Sequence, residues 1–357
     1  MEKINKLLFT VFLLIFSTVL FTKDIVSIAL TKPVLIGGRD VFFADCTSVC
    51  EDKKGNVFVL DSKINKIYKF SKNGKYLYSF GHKGVGPGDI NKSHTIYINT
   101  RGNLIVNQTR DFIPIFDTDG KHLKYIKIPL GVGIYYITDN LFYGTRWNKK
   151  GKEQFLFNHK KEVINTFFTI DRDAFSISVP DKSGRLVMYN YFSNAYSPFF
   201  IYYNGKDISA IAVSNKYKVF IINKTGKIIN IIEKKGFCNK MKKRERLKFI
   251  AEIKKYKKFT KPMKKKFILK IPEIKNCIDN ILISNKYIWI IKSRADFSKI
   301  DKSIEIDMYN HKAVFIGHLF INSTPIYISD RHIYTKKEDS EGDYSLIRNN
   351  YSFKFKD

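Results

Sequence analysis

Histidine is the residue type in this chain best suited to acid–base or metal chemistry, and the seven histidines do not recur at equivalent places along it. A metal centre needs oxygen or imidazole ligands that converge on one point. Asp45, Asp279 and Asp330 are acidic candidates for such a point, although solvated loop positions or turn caps explain such residues more often. The sequence therefore identifies no catalytic residue and predicts neither a metal site nor a cofactor. The histidines are His82, His94, His122, His159, His311, His318 and His332.

The cysteines Cys46, Cys50, Cys238 and Cys277 are the other candidates for chemistry. Cys46 and Cys50 are four residues apart in a segment that is predicted to be extended, and about 13 Å at about 3.3 Å per residue exceeds the reach of a disulfide. Cys46 and Cys277 occupy equivalent positions in separated repeats, so we do not expect them to pair. No Cys-x-x-Cys or Cys/His spacing typical of zinc occurs. We expect mostly unpaired thiols, with Cys238 free in an insertion.

The elements that must position any site are repeated strand–turn–strand modules. Apolar strands at 67–70 and 76–80 flank the turn Ser-Lys-Asn-Gly-Lys at 71–75, and the pattern returns around the turns 117–121 and 223–227. Such self-similarity at a period of about 45 residues is typical of a propeller built from four-stranded units. The sequence predicts an all-β, six-bladed β-propeller.

Six units follow from short apolar runs rich in β-branched and aromatic residues. The sixth unit lacks one strand before the chain reaches Asp357, whereas residues 33–36 form an orphan strand. We expect this N-terminal strand to pair into the sixth blade and close the ring, because closure removes exposed sheet edges. The runs that mark the units are 56–61, 103–106, 140–143, 185–223 with strands at 199–203 and 218–222, 287–291 and 332–335.

Two segments carry a family resemblance. Residues 80–90 read Phe-Gly-His-Lys-Gly-Val-Gly-Pro-Gly-Asp-Ile, and residues 52–61 read Asp-Lys-Lys-Gly-Asn-Val-Phe-Val-Leu-Asp. They resemble the linker and the strand-opening motif of bacterial exported six-bladed propellers of the NHL-repeat type, with Ile90 in place of the usual aromatic residue. The resemblance is specific over residues 45–130 and architectural beyond. It implies a ring used as a binding scaffold, with no shared catalytic residues, and it makes Gly84, Gly86 and Gly88 structural glycines.

The N-terminus indicates export. Lys3 and Lys6 precede an apolar run over residues 7–22, which is short for a membrane span and typical of a signal peptide. Cleavage after Ala29 would leave residues 30–357 as the propeller, and the alternative for residues 1–29 is an uncleaved membrane anchor. No cysteine near the end of the run is available for a lipoprotein anchor. The expected location is the periplasm, the cell envelope or the medium.

The formal net charge is +30, and an insertion at about residues 235–270 alone carries 16 Lys or Arg against Glu245 and Glu252. Its apolar positions recur at helical spacing, which predicts a basic amphipathic helix over about 239–259 that ends at Lys261-Pro262. Two interpretations stand: a helix packed on the rim of the ring with solvated lysines, or a contact with an anionic membrane surface, envelope polymer or polysaccharide. AT-rich codons also explain the lysine excess, and export argues against nucleic acid as a partner.

These features favour an exported, non-enzymatic binding or scaffold protein whose ligand or protein partner the sequence does not specify. The alternative is a propeller hydrolase or lyase with a metal in the central channel. The fold alone does not decide between them, because propellers carry many unrelated functions.

Overall fold

Short runs of β-branched and aromatic residues form 27 strands in the part of the chain that the structure describes. The structure is a computed structural model. It describes residues 25–31, 33–37, 41–108, 112–127, 134–138, 141–171, 177–180, 186–189, 199–255, 260–269, 271, 273–293 and 303–355.

Consecutive antiparallel strands build the blades, as expected for apolar runs joined by tight turns. The first strand of each blade lines the centre of the ring. The first blade comprises β3 (Cys46–Glu51), β4 (Val57–Asp61), β5 (Lys66–Phe70) and β6 (Tyr76–Phe80); the second β7 (Ser93–Ile98), β8 (Leu104–Gln108), β9 (Phe112–Phe116) and β10 (His122–Lys127); the third β11 (Ile134–Thr138), β12 (Leu141–Trp147), β13 (Gly151–Asn158) and β14 (Val163–Asp171).

The fourth blade begins at Phe200, later than the sequence predicted. The predicted strands at 199–203 and 218–222 belong to this blade, but part of the segment 185–223 assigned to the unit forms a separate two-stranded hairpin instead, and Arg185 itself lies outside the described residues. The hairpin comprises β15 (Ile177–Pro180) and β16 (Leu186–Tyr189). The fourth blade comprises β17 (Phe200–Asn204), β18 (Ile208–Val213), β19 (Lys218–Asn223) and β20 (Ile228–Glu233); the fifth β21 (Ile278–Ile283), β22 (Tyr287–Lys292), β23 (Ile304–Asn310) and β24 (Phe315–Ile321); the sixth β25 (Pro325–Ile328), β26 (His332–Glu338) and β27 (Tyr344–Phe355).

The N-terminal part of the described chain completes the sixth blade. Strand β2 (Val34–Ile36) pairs antiparallel with β27, with Ile36 opposite Leu346. This is the pairing that the orphan strand predicted. Strand β1 (Ile25–Leu30) pairs antiparallel with β27 and parallel with β24, so it joins the fifth and sixth blades. Residues 1–24 of the predicted signal peptide or anchor lie outside the described residues, and cleavage after Ala29 stays a prediction.

The apolar core is divided into six clusters, one between each pair of neighbouring blades. The cluster between the sixth and first blades includes Ile36, Phe43, Phe70 and Tyr334, all fully buried. Packing of this kind between first and last blades closes the ring. The chain is therefore an all-β, six-bladed β-propeller.

The basic insertion forms two helices between β20 and β21, where one was expected. Helix α1 spans Lys243–Lys255 and helix α2 spans Lys261–Leu269. Lys261-Pro262 begins α2, because proline fits the first turn of a helix, where its missing N–H is not needed. No helix among the described residues is long and apolar enough to cross a membrane.

The cysteines correct a further expectation. Cys238 and Cys277 form a disulfide, although mostly unpaired thiols were expected. Cys238 follows the outermost strand of the fourth blade and Cys277 precedes the innermost strand of the fifth, so the bridge spans the base of the insertion. Cys46 and Cys50 are free and buried.

Candidate functional site

A cavity of about 630 Å³ lies at the centre of the ring. All six first strands contribute to its wall, because each of these strands crosses the centre of the propeller. The cavity opens where the first strands end, at the turns that lead into the second strands. We call this side of the ring the mouth face. The wall residues on the first strands include Ser48, Thr95, Tyr135, Tyr203, Ile283 and Tyr327.

Tyrosines dominate the chemistry of the wall. Tyr202 stacks on Tyr143 with ring centroids 4.3 Å apart and planes inclined by 7°, and Tyr135 lies 5.3 Å from Tyr202. Burial raises the pKa of Tyr135, Tyr202, Tyr203 and Tyr327. The phenols therefore stay neutral at physiological pH, and they offer ring faces and hydroxyl donors to a bound molecule.

A hydrogen-bonded carboxylate and imidazole lie beside the mouth. Glu51 ends β3, and its Oε1 lies 2.7 Å from Nδ1 of His332, which begins β26. The hydroxyl of Tyr334 donates to the same oxygen. Burial, followed by the charge of Glu51, raises the pKa of Tyr334. Only 13% of the Glu51 side chain is exposed, so these two partners replace most of its contact with water.

The rim of the mouth carries more basic than acidic side chains, and its carboxylates are hydrogen-bonded within the protein. The Asp52 carboxylate accepts hydrogen bonds from the backbone amides of Lys54 and Asn56 at 2.9 and 2.8 Å. The Asp330 carboxylate accepts from the backbone and side-chain amides of Asn285 at 2.9 and 2.8 Å. With Glu51 bonded to His332, all three rim carboxylates are engaged within the protein. The cations of the rim are exposed: Lys53, Lys54, Lys72, Lys206 and Arg331.

The buried thiols do not supply a nucleophile. Burial raises the pKa of Cys46 to about 12, and burial likewise raises the pKa of Cys50. A thiolate is the reactive form of cysteine, so both side chains are inert at neutral pH.

Among the described residues, Glu305, Asp307 and His318 bring together three side chains that could hold a metal ion. They lie on β23 and β24, outside the central cavity. Lys234 Nζ lies 2.8 Å from Asp307, and Lys292 pairs with Glu305. Burial alone would raise the pKa of Asp307, but the hydrogen bonds from Lys234 and Tyr217 outweigh it and lower this pKa. The two lysines already neutralise the carboxylates that would bind a metal cation. The cluster is therefore an ion-pair network.

The side chains that the sequence singled out are dispersed. Asp330 and His332 reach the mouth of the cavity. Asp45 instead accepts a hydrogen bond from Ser62, and Asp279 is paired with Ser293. The remaining histidines of the described chain do not line the cavity.

The glycine-rich linker folds around a carboxylate of the protein itself. The backbone amide of Gly86 donates to Asp89 Oδ2 at 2.7 Å, and His82 Nε2 lies 2.6 Å from Asp89 Oδ1. A Cβ at Gly84 would stand 1.9 Å from Asp89, and Gly88 has φ +85°. These contacts give the glycines a structural role, because side chains at these positions would clash or strain the backbone.

Sequence reasoning missed the tyrosines of the cavity wall. Tyr202 and Tyr203 end the fourth blade's first strand, and Tyr327 lies in the sixth blade's first strand. The sequence signal that could have indicated the cavity wall was the presence of aromatic residues near the ends of first strands in different repeats.

Comparisons with known proteins agree with this architecture. Residues 39–211 match a protein family described as a 6-bladed beta-propeller. No curated protein matches the chain significantly.

Solved structures show the same fold at low sequence identity. A Bacteroides fragilis NCTC 9343 protein described as exported has a TM-score of 0.53 at 10% identity, over 92% of this chain and 95% of that one. A DUF4221-family member from Bacteroides vulgatus ATCC 8482 has a TM-score of 0.53 at 12% identity, over 94% and 100% of the two chains. A virginiamycin B lyase from Staphylococcus aureus is more distant, with a TM-score of 0.42 at 13% identity over 90% and 99%.

Proposed function

We propose that this six-bladed β-propeller is an exported, non-enzymatic binding protein whose central cavity holds a small anionic ligand. The cavity is the observation that carries the proposal. It offers about 630 Å³, a wall of neutral tyrosines and a rim of exposed cations. Ligand sites in proteins are concave, largely apolar and supplied with a few fixed polar groups, which is the pattern found here.

The rim cations favour a negatively charged ligand, and the tyrosines of the wall favour a particular ligand shape. Lys206 and Arg331 lie at the mouth, and the carboxylate of Asp330, next to Arg331 in the chain, already accepts hydrogen bonds from Asn285. A carboxylate, sulfate or phosphate at the mouth would therefore meet cations and displace no internal ion pair. Tyr203 and Tyr327 below the mouth favour a flat or ring-shaped body, because aromatic faces stack on such groups.

Export is supported by the leader-like sequence and by the disulfide. Lys3 and Lys6 precede the apolar run 7–22. Cys238 and Cys277 are bonded, and structural disulfides persist mainly in oxidising compartments. The periplasm, the envelope and the medium all meet this condition.

The NHL-type assignment is a further part of the proposal. The motif at 52–61 forms the first turn and second strand of the first blade, and the linker at 80–90 joins the first and second blades. Both motifs therefore occupy positions that can recur in each blade of a ring.

A hydrolase or lyase with a metal in the channel is the alternative. The cavity supports it less well, since the rim carboxylates are engaged by His332, Asn285 and backbone amides. The described cavity residues do not bring three His, Cys, Asp or Glu side chains within reach of one ion.

Titration with 2-naphthoate tests the binding function, because this probe joins a flat ring to one carboxylate. Saturation-transfer NMR should detect binding of 2-naphthoate and weaker binding of the uncharged 2-naphthalenemethanol. The double variant K206E/R331E should weaken 2-naphthoate binding at least about fivefold by reversing two rim charges.

The matched control is K121E/K227E, which changes the net charge equally in two turns, 117–121 and 223–227, whose residues do not line the cavity. Binding that both double variants weaken equally would place the ligand outside the cavity. Absence of binding by the wild type would contradict the anionic aromatic class of ligand.

A further inference from the structure

The insertion has a packed side and a free side. Helix α1 turns about 100° per residue, so its thirteen positions can be placed around its axis. Phe249, Ile250 and Ile253 lie within one arc and face inward, with Ile253 fully buried. Glu245 lies in the same arc and pairs with the buried Lys275 at 2.8 Å. The apolar stripe of α1 therefore packs within the protein and is not available to a partner.

The opposite arc of α1, about 140° wide, is exposed throughout. Leu247 lies within it and is 56% exposed. The seven positions of this arc include no acidic residue, so its charge is uniformly positive. We call this surface the cationic face. Its residues are Lys243, Arg244, Leu247, Lys248, Ala251, Lys254 and Lys255.

The second helix is bonded to the first. Arg246 donates to the backbone carbonyls of Ile268 and Ile271 at 3.4 and 3.2 Å, and Lys264 donates to the Lys254 carbonyl at 2.6 Å. Leu269, at the end of α2, is 73% exposed. The two helices thus form one unit that carries exposed cations and two exposed leucines.

The two ends of the insertion are bonded to each other where it leaves the ring. The Met241 amide donates to the Glu273 carbonyl at 2.7 Å, and the Lys275 amide donates to the Asn239 carbonyl at 2.9 Å. The Cys238–Cys277 disulfide lies directly beyond this short ladder. A surface held in this way is ordered before it meets a partner, which lowers the entropic cost of binding.

We propose that the cationic face docks the protein on a bilayer surface that carries anionic headgroups. Each lysine or arginine that lies near such a surface contributes about 1 kcal/mol to the binding free energy. The exposed Leu247 within this face favours a bilayer over a soluble polyanion, because a headgroup region accepts apolar side chains and a polyanion does not. The contact is peripheral, since the larger apolar stripe is buried.

The topology places this contact on the side of the ring away from the cavity mouth. The insertion joins the end of β20 to the start of β21, whereas the mouth lies at the far end of β21, beside Ser284 and Asn285. Six residues of strand separate the two by about 20 Å. A protein docked through the cationic face therefore turns its cavity toward the aqueous side.

Vesicle sedimentation tests the proposal with protein recovered from one exporting host, so that every variant has the same N-terminus. Vesicles of phosphatidylcholine with about 30% phosphatidylglycerol are compared with pure phosphatidylcholine. The wild type should bind the anionic vesicles more tightly, and K243E/R244E/K248E should lose at least about tenfold of that preference.

The matched control is K75E/K121E/K227E. These exposed lysines occupy equivalent turn positions on the mouth face, and their replacement lowers the net charge by the same amount. The control should keep most of the preference for anionic vesicles. Equal losses in the two triple variants would show a general charge effect and overturn the proposal.

A substitution that removes an apolar side chain without changing the charge distinguishes binding to a bilayer from binding to a soluble polyanion. Leu247→Ser leaves the charge intact and should weaken binding to anionic vesicles at least about twofold while leaving the salt needed for elution from heparin unchanged. Unchanged vesicle binding by Leu247→Ser, together with a lower elution salt for K243E/R244E/K248E on heparin, would assign the surface to an anionic polymer instead.

Discussion

Cys238 and Cys277 are 39 residues apart in sequence, and their Cα atoms lie 4.9 Å apart across the base of the basic insertion. The bond joins the end of the fourth blade to the start of the fifth. The Cys277 amide also donates to the carbonyl of Ser214 at 2.7 Å, in the fourth blade. The disulfide therefore holds the insertion and the junction between two blades at once.

Removal of this disulfide should lower stability. In the chain-entropy description, a closed loop of 39 residues contributes about 4 kcal/mol to the free energy of unfolding. We expect C238S/C277S to unfold at lower urea concentration and lower temperature than the wild type. Dithiothreitol should shift the wild type to the same midpoint and leave the variant unchanged, because Cys46 and Cys50 are free thiols. A wild-type midpoint insensitive to reductant would contradict the bond.

Ring closure by β2 predicts a contrast between two adjacent residues. Ile36 is fully buried between the sixth and first blades, whereas Leu35 is 38% exposed. Ile36→Ala should cost about 2–5 kcal/mol by removing buried methylenes and leaving a cavity. Leu35→Ala, the control on the same strand, should cost less than about 1 kcal/mol. Urea titrations measure both, and equal costs would argue against closure by this strand. Deletion of residues 30–40 should lower the melting temperature sharply.

The architecture was predictable because its signals are local. Gly74, Gly120 and Gly226 close equivalent turns, and all have positive φ, between +81° and +86°, in the structure. Glycine adopts this conformation without steric cost, so the turn residues themselves marked the hairpins. The count of strands in the last repeat then required a partner from the N-terminus, which β2 supplies.

The disulfide and the cavity were not predictable by the same means. Cys238 and Cys277 become neighbours only because the insertion returns to the point where it leaves the ring. Tyr203 and Tyr327 read as ordinary strand aromatics, and their common cavity arises from closure of the whole ring. Such relationships depend on distant parts of the chain, which strand patterns do not specify.

The ion-pair network around Asp307 predicts a large loss of stability on neutralisation. Asp307 is fully buried, bonded to Lys234 at 2.8 Å and to His318 at 2.6 Å. Asp307→Asn should cost about 3–5 kcal/mol, because it leaves a cation near the interior without its partner. Glu233→Gln is the matched control, since its pair with Lys218 at 3.2 Å is partly exposed and worth at most about 1 kcal/mol. Similar costs for both changes would mean that Asp307 is not held as the structure shows.

The same network predicts the outcome of a metal analysis. Lys234 and Lys292 already neutralise Asp307 and Glu305, so zinc or calcium would have to displace two ammonium groups. Elemental mass spectrometry of protein purified without chelator should find metal well below one equivalent. A stoichiometric metal that is lost in His318→Ala would make the cluster a metal site.

Lys224 predicts a pH dependence that can be isolated. Its ammonium group donates to the Gly205 carbonyl at 2.6 Å beside the cavity mouth, and burial lowers its pKa from 10.5 to about 8. Between these two values the unfolded chain binds more protons at this residue than the folded chain does. The free energy of unfolding should therefore rise with pH from about 8 to 10.5, by at most about 3 kcal/mol from this group.

Buried tyrosines act in the opposite direction over the same pH range, because burial raises the pKa of groups such as Tyr203 and favours their protonated form in the folded state. The readout is therefore the difference between two variants, obtained from urea titrations at pH 7.5 and pH 10. Lys224→Met should lose the part of the rise in unfolding free energy between these pH values that comes from Lys224. Lys227→Met, which changes an exposed lysine in the same turn, should keep that rise. If the two variants show the same change in stability between these pH values, Lys224 titrates near its ordinary pKa and burial at the mouth does not perturb it.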